Sequence, residues 1–331
     1  MEERKKDHIL LAFESQTEKP NPRFLYEPLF GVHPTGKGLP PLPFLGKEMK
    51  APIWISSMTG GTAMARTINE NLARACAEFG LGMGLGSCRP LLESNERFED
   101  FNLRPILGKD RPFFANLGVA QVAELARKGQ LQKITDMVGK LDVDGLIFHI
   151  NPLQEWLQPE GDVFTESAAD TLDKLLAHAQ FPVIVKEVGQ GMGPKSLAHL
   201  LQLPLAAIDF GAFGGTNFSK LEWLRAQDHE KYHQSPFVHV GHTAPDMLGF
   251  VKDCLEQTGG KTKVPHLIIS GGVKDFLEGW ALIQQAPLPA VYGQASAFLE
   301  HARGEYLHLS RFVKSQVDGL EMAYRFMRLK E

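Results

Sequence analysis

The 331-residue chain is poor in cysteine, with three residues, Cys76, Cys88 and Cys254, and no CxxC spacing among them. An odd number of isolated thiols excludes a disulfide scaffold and reads as reduced cysteines in a cytoplasmic protein. Neither paired cysteines nor an HExxH motif is present to support zinc. Long hydrophobic runs are missing too. No stretch approaches the roughly 18 apolar residues of a membrane helix, and the charged opening Met1-Glu2-Glu3-Arg4-Lys5-Lys6-Asp7 has no signal-peptide core behind it. Net charge is small: 35 Lys and Arg against 39 Asp and Glu leave -4 at pH 7. Neither nucleic acid nor a membrane is therefore an expected partner, and any bound anion must be met by local positive charge.

Glycine, by contrast, is plentiful. Many of the 32 glycines follow short apolar runs rather than scattering through linkers. Eight such runs read as buried parallel strands: Ile53 to Ser57, Leu81 to Gly86, Pro112 to Asn116, Leu146 to Asn151, Val183 to Glu187, Ala206 to Phe210, His266 to Ser270 and Ala290 to Gly293. Between them lie segments of helical period, such as Ala63 to Phe79, with Ile68, Leu72, Ala75, Cys76 and Phe79 on one face, and Thr171 to Ala179. Eight βα units in about 250 residues predict a TIM (β/α)8 barrel with an N-terminal extension, residues 1–50 forming the leader and 51–331 the barrel. A doubly wound sheet is the rival architecture. The run Phe237 to Val240 would make a ninth strand and is read instead as part of a long loop after strand six.

In a TIM barrel the chemistry gathers where the strands end. Those ends carry Ser57-Met58-Thr59-Gly60-Gly61, Gly86-Ser87-Cys88-Arg89, Asn116, His149 to Glu155, Lys186-Glu187, Gly214-Gly215-Thr216-Asn217, Ser270-Gly271-Gly272 and Gly293-Gln294-Ala295. The last two strings sit at the usual phosphate position of the fold, where glycine backbone N–H groups and helix N-termini hold an anion, with Lys274 placed to add charge. An ammonium at the end of a buried strand needs an anion, and alternation sends Lys186 and Glu187 to opposite faces, so Lys186 points into the mouth. His149 and Asn151 share a face, and with Gln154 and Glu155 they suit a polar head group and a hard cation such as Mg²⁺. Gly260-Lys261-Thr262 is no P-loop, because the required first glycine would fall at Leu255, and Gly82, Gly84 and Gly86 have the wrong spacing for a dinucleotide fingerprint.

From about residue 4 to 300 the chain resembles the type 2, flavin-dependent isopentenyl diphosphate isomerases. The resemblance lies in Arg4-Lys5 with His8, Met58-Thr59-Gly60-Gly61, Gly86-Ser87 with Arg89, Ala115-Asn116-Leu117-Gly118, and His149 to Glu155 continuing to Gln158-Pro159-Glu160-Gly161. It extends through Val185-Lys186-Glu187, Gly214-Gly215-Thr216-Asn217, Glu222 with Arg225, and Ser270-Gly271-Gly272. The resemblance implies a cytoplasmic homo-oligomer, tetramer or octamer, that interconverts isopentenyl and dimethylallyl diphosphate with FMN, Mg²⁺ and NADPH as reductant. It places Met58, Thr59, Gly60, Ser87, Asn116, Lys186 and Thr216 at the flavin and Gly271, Gly272, Lys274, Gln294 and Ala295 around its phosphate. Arg4, Lys5, His8, Arg89, His149, Asn151 and Gln154 would hold the substrate, Glu155 the metal, and Gln154, Lys186 and His149 would serve the reaction, with the leader closing over the mouth.

Four positions depart from the family's habit. Cys88 stands for glutamine, Lys274 for arginine, Val240-Gly241-His242-Thr243 for a Trp-Gly-x-Pro-Thr segment, and Gln285-Ala286-Pro287 replaces the motif before strand eight. They keep open an FMN-dependent oxidoreductase and a non-catalytic flavin- or phosphate-binding barrel.

Overall fold

The computed structural model describes residues 2–35, 38–56, 63–226 and 235–330. Eight parallel strands close into a barrel: β1 (Ile53–Ile55), β2 (Gly82–Gly84), β3 (Phe113–Gly118), β4 (Gly145–Ile150), β5 (Val183–Glu187), β6 (Ala207–Asp209), β7 (Leu267–Ser270) and β8 (Ala290–Gln294). Each pairs with its neighbour in sequence, and β8 closes on β1 through Tyr292 and Ile53. All eight coincide with the apolar runs, and the doubly wound alternative is excluded. The helix Ala63–Phe79 lies where its period predicts, with Ile68, Leu72, Ala75 and Cys76 buried against the barrel. Residues 235–239 form a single 3₁₀ turn, so the extra apolar run is loop. Gly259 and Gly260 form a turn with positive φ after the helix Ala244–Gln257.

The barrel interior is built in two storeys. The lower one is apolar: Trp54, Phe114, Ile147, Ile184, Ala207, Ile268 and Val291, one from each strand except β2, pack into a single cluster. On β2 the inward position is Gly82, because a Cβ there would lie 2.6 Å from the Trp54 ring. A hairpin of Leu42–Phe44 and Lys47–Met49 plugs this end, inserting Phe44 and Met49 into the same cluster. Its turn residues Leu45 and Gly46 both have positive φ, 52° and 75°, as a two-residue turn of matching twist requires. Side chains alternate along a strand, so the next inward position lies two residues on. Those positions are Ser56, Gly84, Asn116, His149, Lys186, Asp209, Ser270 and Gly293, an upper storey with no large apolar side chain.

The first part of the leader, before this hairpin, does not belong to this core. Residues 2–23 are exposed, including the helix Glu2–Leu10. From Phe24 the chain runs down the barrel wall, where Phe24–Tyr26 pairs antiparallel with Met327–Leu329 and Phe24 meets Trp280. Among the described residues no helix is long and apolar enough to cross a membrane.

Candidate active site

A cleft of about 300 Å³ opens above the upper storey between the ends of β5, β6, β7 and β8. Lys186, Thr216, Gly271, Gly272, Lys274, Gln294 and Ala295, expected on one ligand, all line it. The loops after β6 and β7 meet backbone to backbone. A Cβ on Gly215 would sit 2.9 Å from the Gly272 nitrogen, and one on Gly271 only 2.0 Å from the Ala212 carbonyl oxygen. Gly271 and Gly272 also have φ of 91° and 75°, so consecutive N–H groups turn toward one side, a concavity suited to an anion. One expectation is corrected here. The 270–272 loop does not open the following helix, which starts at Phe276 behind Asp275, whose carboxylate accepts the Glu278 N–H at 2.8 Å. The helix after β8 does begin at once, at Ser296.

The donor set fits a flat polar cofactor with a phosphate. Ser56 Oγ and Gln294 Oε1 are buried, line the cleft and have no protein partner. Lys186 Nζ donates to the Glu187 carbonyl at 2.8 Å, while the Glu187 carboxylate lies on the other face and takes the N–H groups of Gly189, Gln190 and Gly191 at 2.7, 2.6 and 2.9 Å. Burial raises the pKa of Glu187 and those three donors act against it.

On β3 and β4, Asn116 donates to the Leu85 carbonyl at 3.0 Å, so its Oδ1 is free to accept from His149 Nδ1 at 2.7 Å. That network assigns the Nδ1–H tautomer and leaves Nε2 with a lone pair. Removal from water, helped by the Lys186 ammonium, lowers the His149 pKa to about 3, so the ring is neutral at physiological pH. In the unfolded chain a histidine takes its proton near about 6.5. His149 therefore contributes fully above that pH, and its contribution drains away as pH falls toward 3. His149→Gln is expected to lower Tm at pH 7.5 and to flatten the loss of Tm between pH 6.5 and 4. Parallel curves for the two proteins would show that another group titrates.

Beyond β4 the short helix Pro152–Leu157 carries the next group. Asn151 Nδ2 donates to Gln154 Oε1 at 3.2 Å and to Glu155 Oε1 at 2.8 Å, and the Asp162 N–H holds Glu155 Oε2 at 2.8 Å. Gly161 makes that return possible, since a Cβ there would lie 1.9 Å from the Glu155 carbonyl oxygen. Asn151 Oδ1 is buried and unpartnered. One carboxylate beside one amide oxygen fits Mg²⁺, which takes its remaining oxygens from water and phosphate. Among the described residues no three His, Cys, Asp or Glu side chains gather into an all-protein metal cage.

The other expected residues are scattered. Arg89 is half-exposed and pairs with Asp162 at 3.4 Å, and Ser87 is exposed, its Oγ accepting the Arg89 N–H. Arg4, Lys5 and His8 are exposed on the leader helix, with no hydrogen bond or ion pair to the barrel among the described residues. Met58, Thr59 and Gly60 lie outside the described residues. Cys88 is buried and donates to the Gly86 carbonyl. Glu222 pairs with Arg225, which also reaches Glu160 at 3.0 Å and so ties the β6 loop to the β4 loop. Asp209 was missed. It ends an apolar run as a lone carboxylate, two residues after inward Ala207, and counting alternate positions would have found it.

No protein-family model matches the chain. An isopentenyl-diphosphate delta-isomerase of Rickettsia felis is 35% identical over 280 residues, 84% of this chain and 77% of that one. The Rickettsia africae enzyme of the same name is 32% identical over 330 residues, 97% and 92% of the two chains. The chain belongs to the isopentenyl-diphosphate delta-isomerase family. Solved structures show the family's barrel in more distant company. The recombinant flavin-binding domain of baker's yeast flavocytochrome b2 superposes with a TM-score of 0.59 at 14% identity, covering 91% of this chain and 71% of that one. A mandelate oxidase variant with a monooxide FMN adduct gives 0.55 at 12%, covering 94% and 87%. At such identities the likeness is one of fold, and it places this isomerase-family chain among TIM barrels.

Proposed function

We propose that the chain interconverts isopentenyl and dimethylallyl diphosphate as the flavin-dependent, type 2 form of its family, with FMN in the glycine-lined cleft, Mg²⁺ at Glu155 and NADPH as reductant. The carrying observation is that Lys186, at the wall of a glycine-lined cleft suited to a flavin phosphate, is the register partner of His149, which begins the polar run to Glu155 suited to a diphosphate and its metal. The flavin-binding domain of flavocytochrome b2, which shares the fold, and the Rickettsia isomerases, which share the sequence, favour the same reading.

Moving a double bond requires a proton added at one carbon and one removed at another. When bound, reduced FMN supplies a ring nitrogen able to exchange protons with an unactivated alkene, which no side chain among the described residues is placed or tuned to do. The protein's share is positional. Lys186 offsets negative charge at the cleft wall, while neutral His149 offers its Nε2 lone pair to a donor and adds no competing charge. Asn151 and Glu155 hold the metal, with Gln154 beside them, and Arg89 gives up its exposed pair with Asp162 to meet the diphosphate. The leader, folding over the mouth, brings Arg4, Lys5 and His8 to the same anion and excludes water. The exposed apolar side chains of Phe13, Leu29 and Phe30 are ones that homo-oligomer assembly would cover. Three buried free thiols suit the cytoplasm.

Anaerobic incubation with FMN, a reductant, Mg²⁺ and isopentenyl diphosphate in D₂O is expected to give deuterated dimethylallyl diphosphate without stoichiometric consumption of reductant. Product free of deuterium would sink the proton-transfer scheme. Stoichiometric use of an electron acceptor would favour an oxidoreductase.

A further inference from the structure

In the upper storey, three strands in succession carry titratable groups at one height: His149 on β4, Lys186 on β5 and Asp209 on β6 are register partners. Partners in a parallel sheet face the same way, about 4.8 Å apart. Asp209 is fully buried. Its Oδ1 accepts the Ser270 hydroxyl, while Oδ2 has no partner. Lys186 commits one ammonium proton to the Glu187 carbonyl, leaving two. An unpaired buried carboxylate beside a buried ammonium with protons to spare is costly for both groups unless each serves the other.

We propose that Asp209 is a positioning residue for Lys186: its free Oδ2 is the internal counter-ion that keeps the ammonium charged and aimed at the cleft. The neighbouring groups leave no other candidate among the described residues. His149 is neutral and occupied by Asn116, the Glu187 carboxylate faces away and is taken by three N–H groups, and Lys274, lining the same cleft, has Lys186's own sign. Burial pushes Asp209 above the usual carboxylate range, and Lys186 is the strongest influence against that rise. The ammonium thus supports the charge of the carboxylate. Ser270, donating to Oδ1 and accepting the Gly211 N–H at 2.9 Å, fixes the carboxylate and the start of the β6 loop together.

The inference rests on reading the cleft as an anion site, but its test needs neither flavin nor turnover. Competitive acetylation with acetic anhydride from pH 6 to 11, read lysine by lysine by peptide mass spectrometry, reports the ionisation of Lys186 against Lys274 in the same chain. In Asp209→Asn the Lys186 midpoint is expected to fall by at least about one pH unit, so that labelling at pH 8 rises about tenfold while Lys274 is unchanged. A midpoint equal to that of the wild type overturns the proposal. Should Asp209→Asn fail to fold, Ser270→Ala carries the test. Removing the hydroxyl donor weakens the carboxylate's charge, so the Lys186 midpoint moves the same way by about threefold in labelling, and an unmoved midpoint overturns the proposal.

Discussion

Gly271→Ala is expected to weaken binding of the proposed cofactor FMN on the order of 100-fold while the barrel still folds. The methyl group would arrive 2.0 Å from the Ala212 carbonyl oxygen and 2.4 Å from its nitrogen, on a backbone with φ of 91°. Both neighbours are backbone, so no side chain can swing aside. The β6 and β7 loops must part, and their N–H groups no longer converge. Gly304→Ala is the control, since a Cβ there meets nothing within 4 Å and the backbone is not left-handed. It should bind FMN as the wild type does, with Tm nearly unchanged. Fluorescence titration of free FMN against each protein reads the difference. Wild-type affinity in Gly271→Ala would place the cofactor elsewhere.

Glu155→Gln should do the reverse, reducing turnover about 100-fold or more with FMN affinity unaltered. The carboxylate sits between two donors, Asn151 Nδ2 and the Asp162 N–H, each at 2.8 Å. An amide can satisfy only one of them, and its NH₂ group then faces the other. The substitution therefore removes the negative charge offered to the proposed metal and loosens the loop that carries Asp162 and its pair with Arg89. Steady-state rates across a Mg²⁺ titration separate the possibilities: the curve should move to higher metal concentration, and an unchanged midpoint with full activity would exclude Glu155 as the ligand.

The barrel strands were legible because a strand covered on both faces needs little beyond a short apolar run, and most of the runs here end in a polar residue or glycine. The pairing of Phe24–Tyr26 with Met327–Leu329 was not. It joins three-residue segments from opposite ends of the chain, and nothing local in either announces the other. The Leu42–Phe44 hairpin escaped for a related reason, since Leu45 takes a positive φ that sequence reserves for Gly or Asn. Within the site, residues whose backbone lies at strand ends were found by position, as with Lys186, Thr216 and Gly271. Asp209 does not stand out in that way, because it is the strand's last inward residue and not part of the glycine-rich loop beyond it. Arg4, Lys5 and His8 came from resemblance alone, and no periodicity could have linked an exposed charged helix to a cleft.

The two storeys have a consequence for how this barrel can vary. On most strands the residue that packs the floor and the residue that faces the ligand are separated by one position, so one short peptide serves as core and as site. Each strand is then read in a fixed frame. One residue inserted immediately before Val183 would bring Val183 to the floor and Val185 to the mouth, and would turn Lys186 toward the helices. Substitutions can be tried one at a time, but changes of length are confined to the loops.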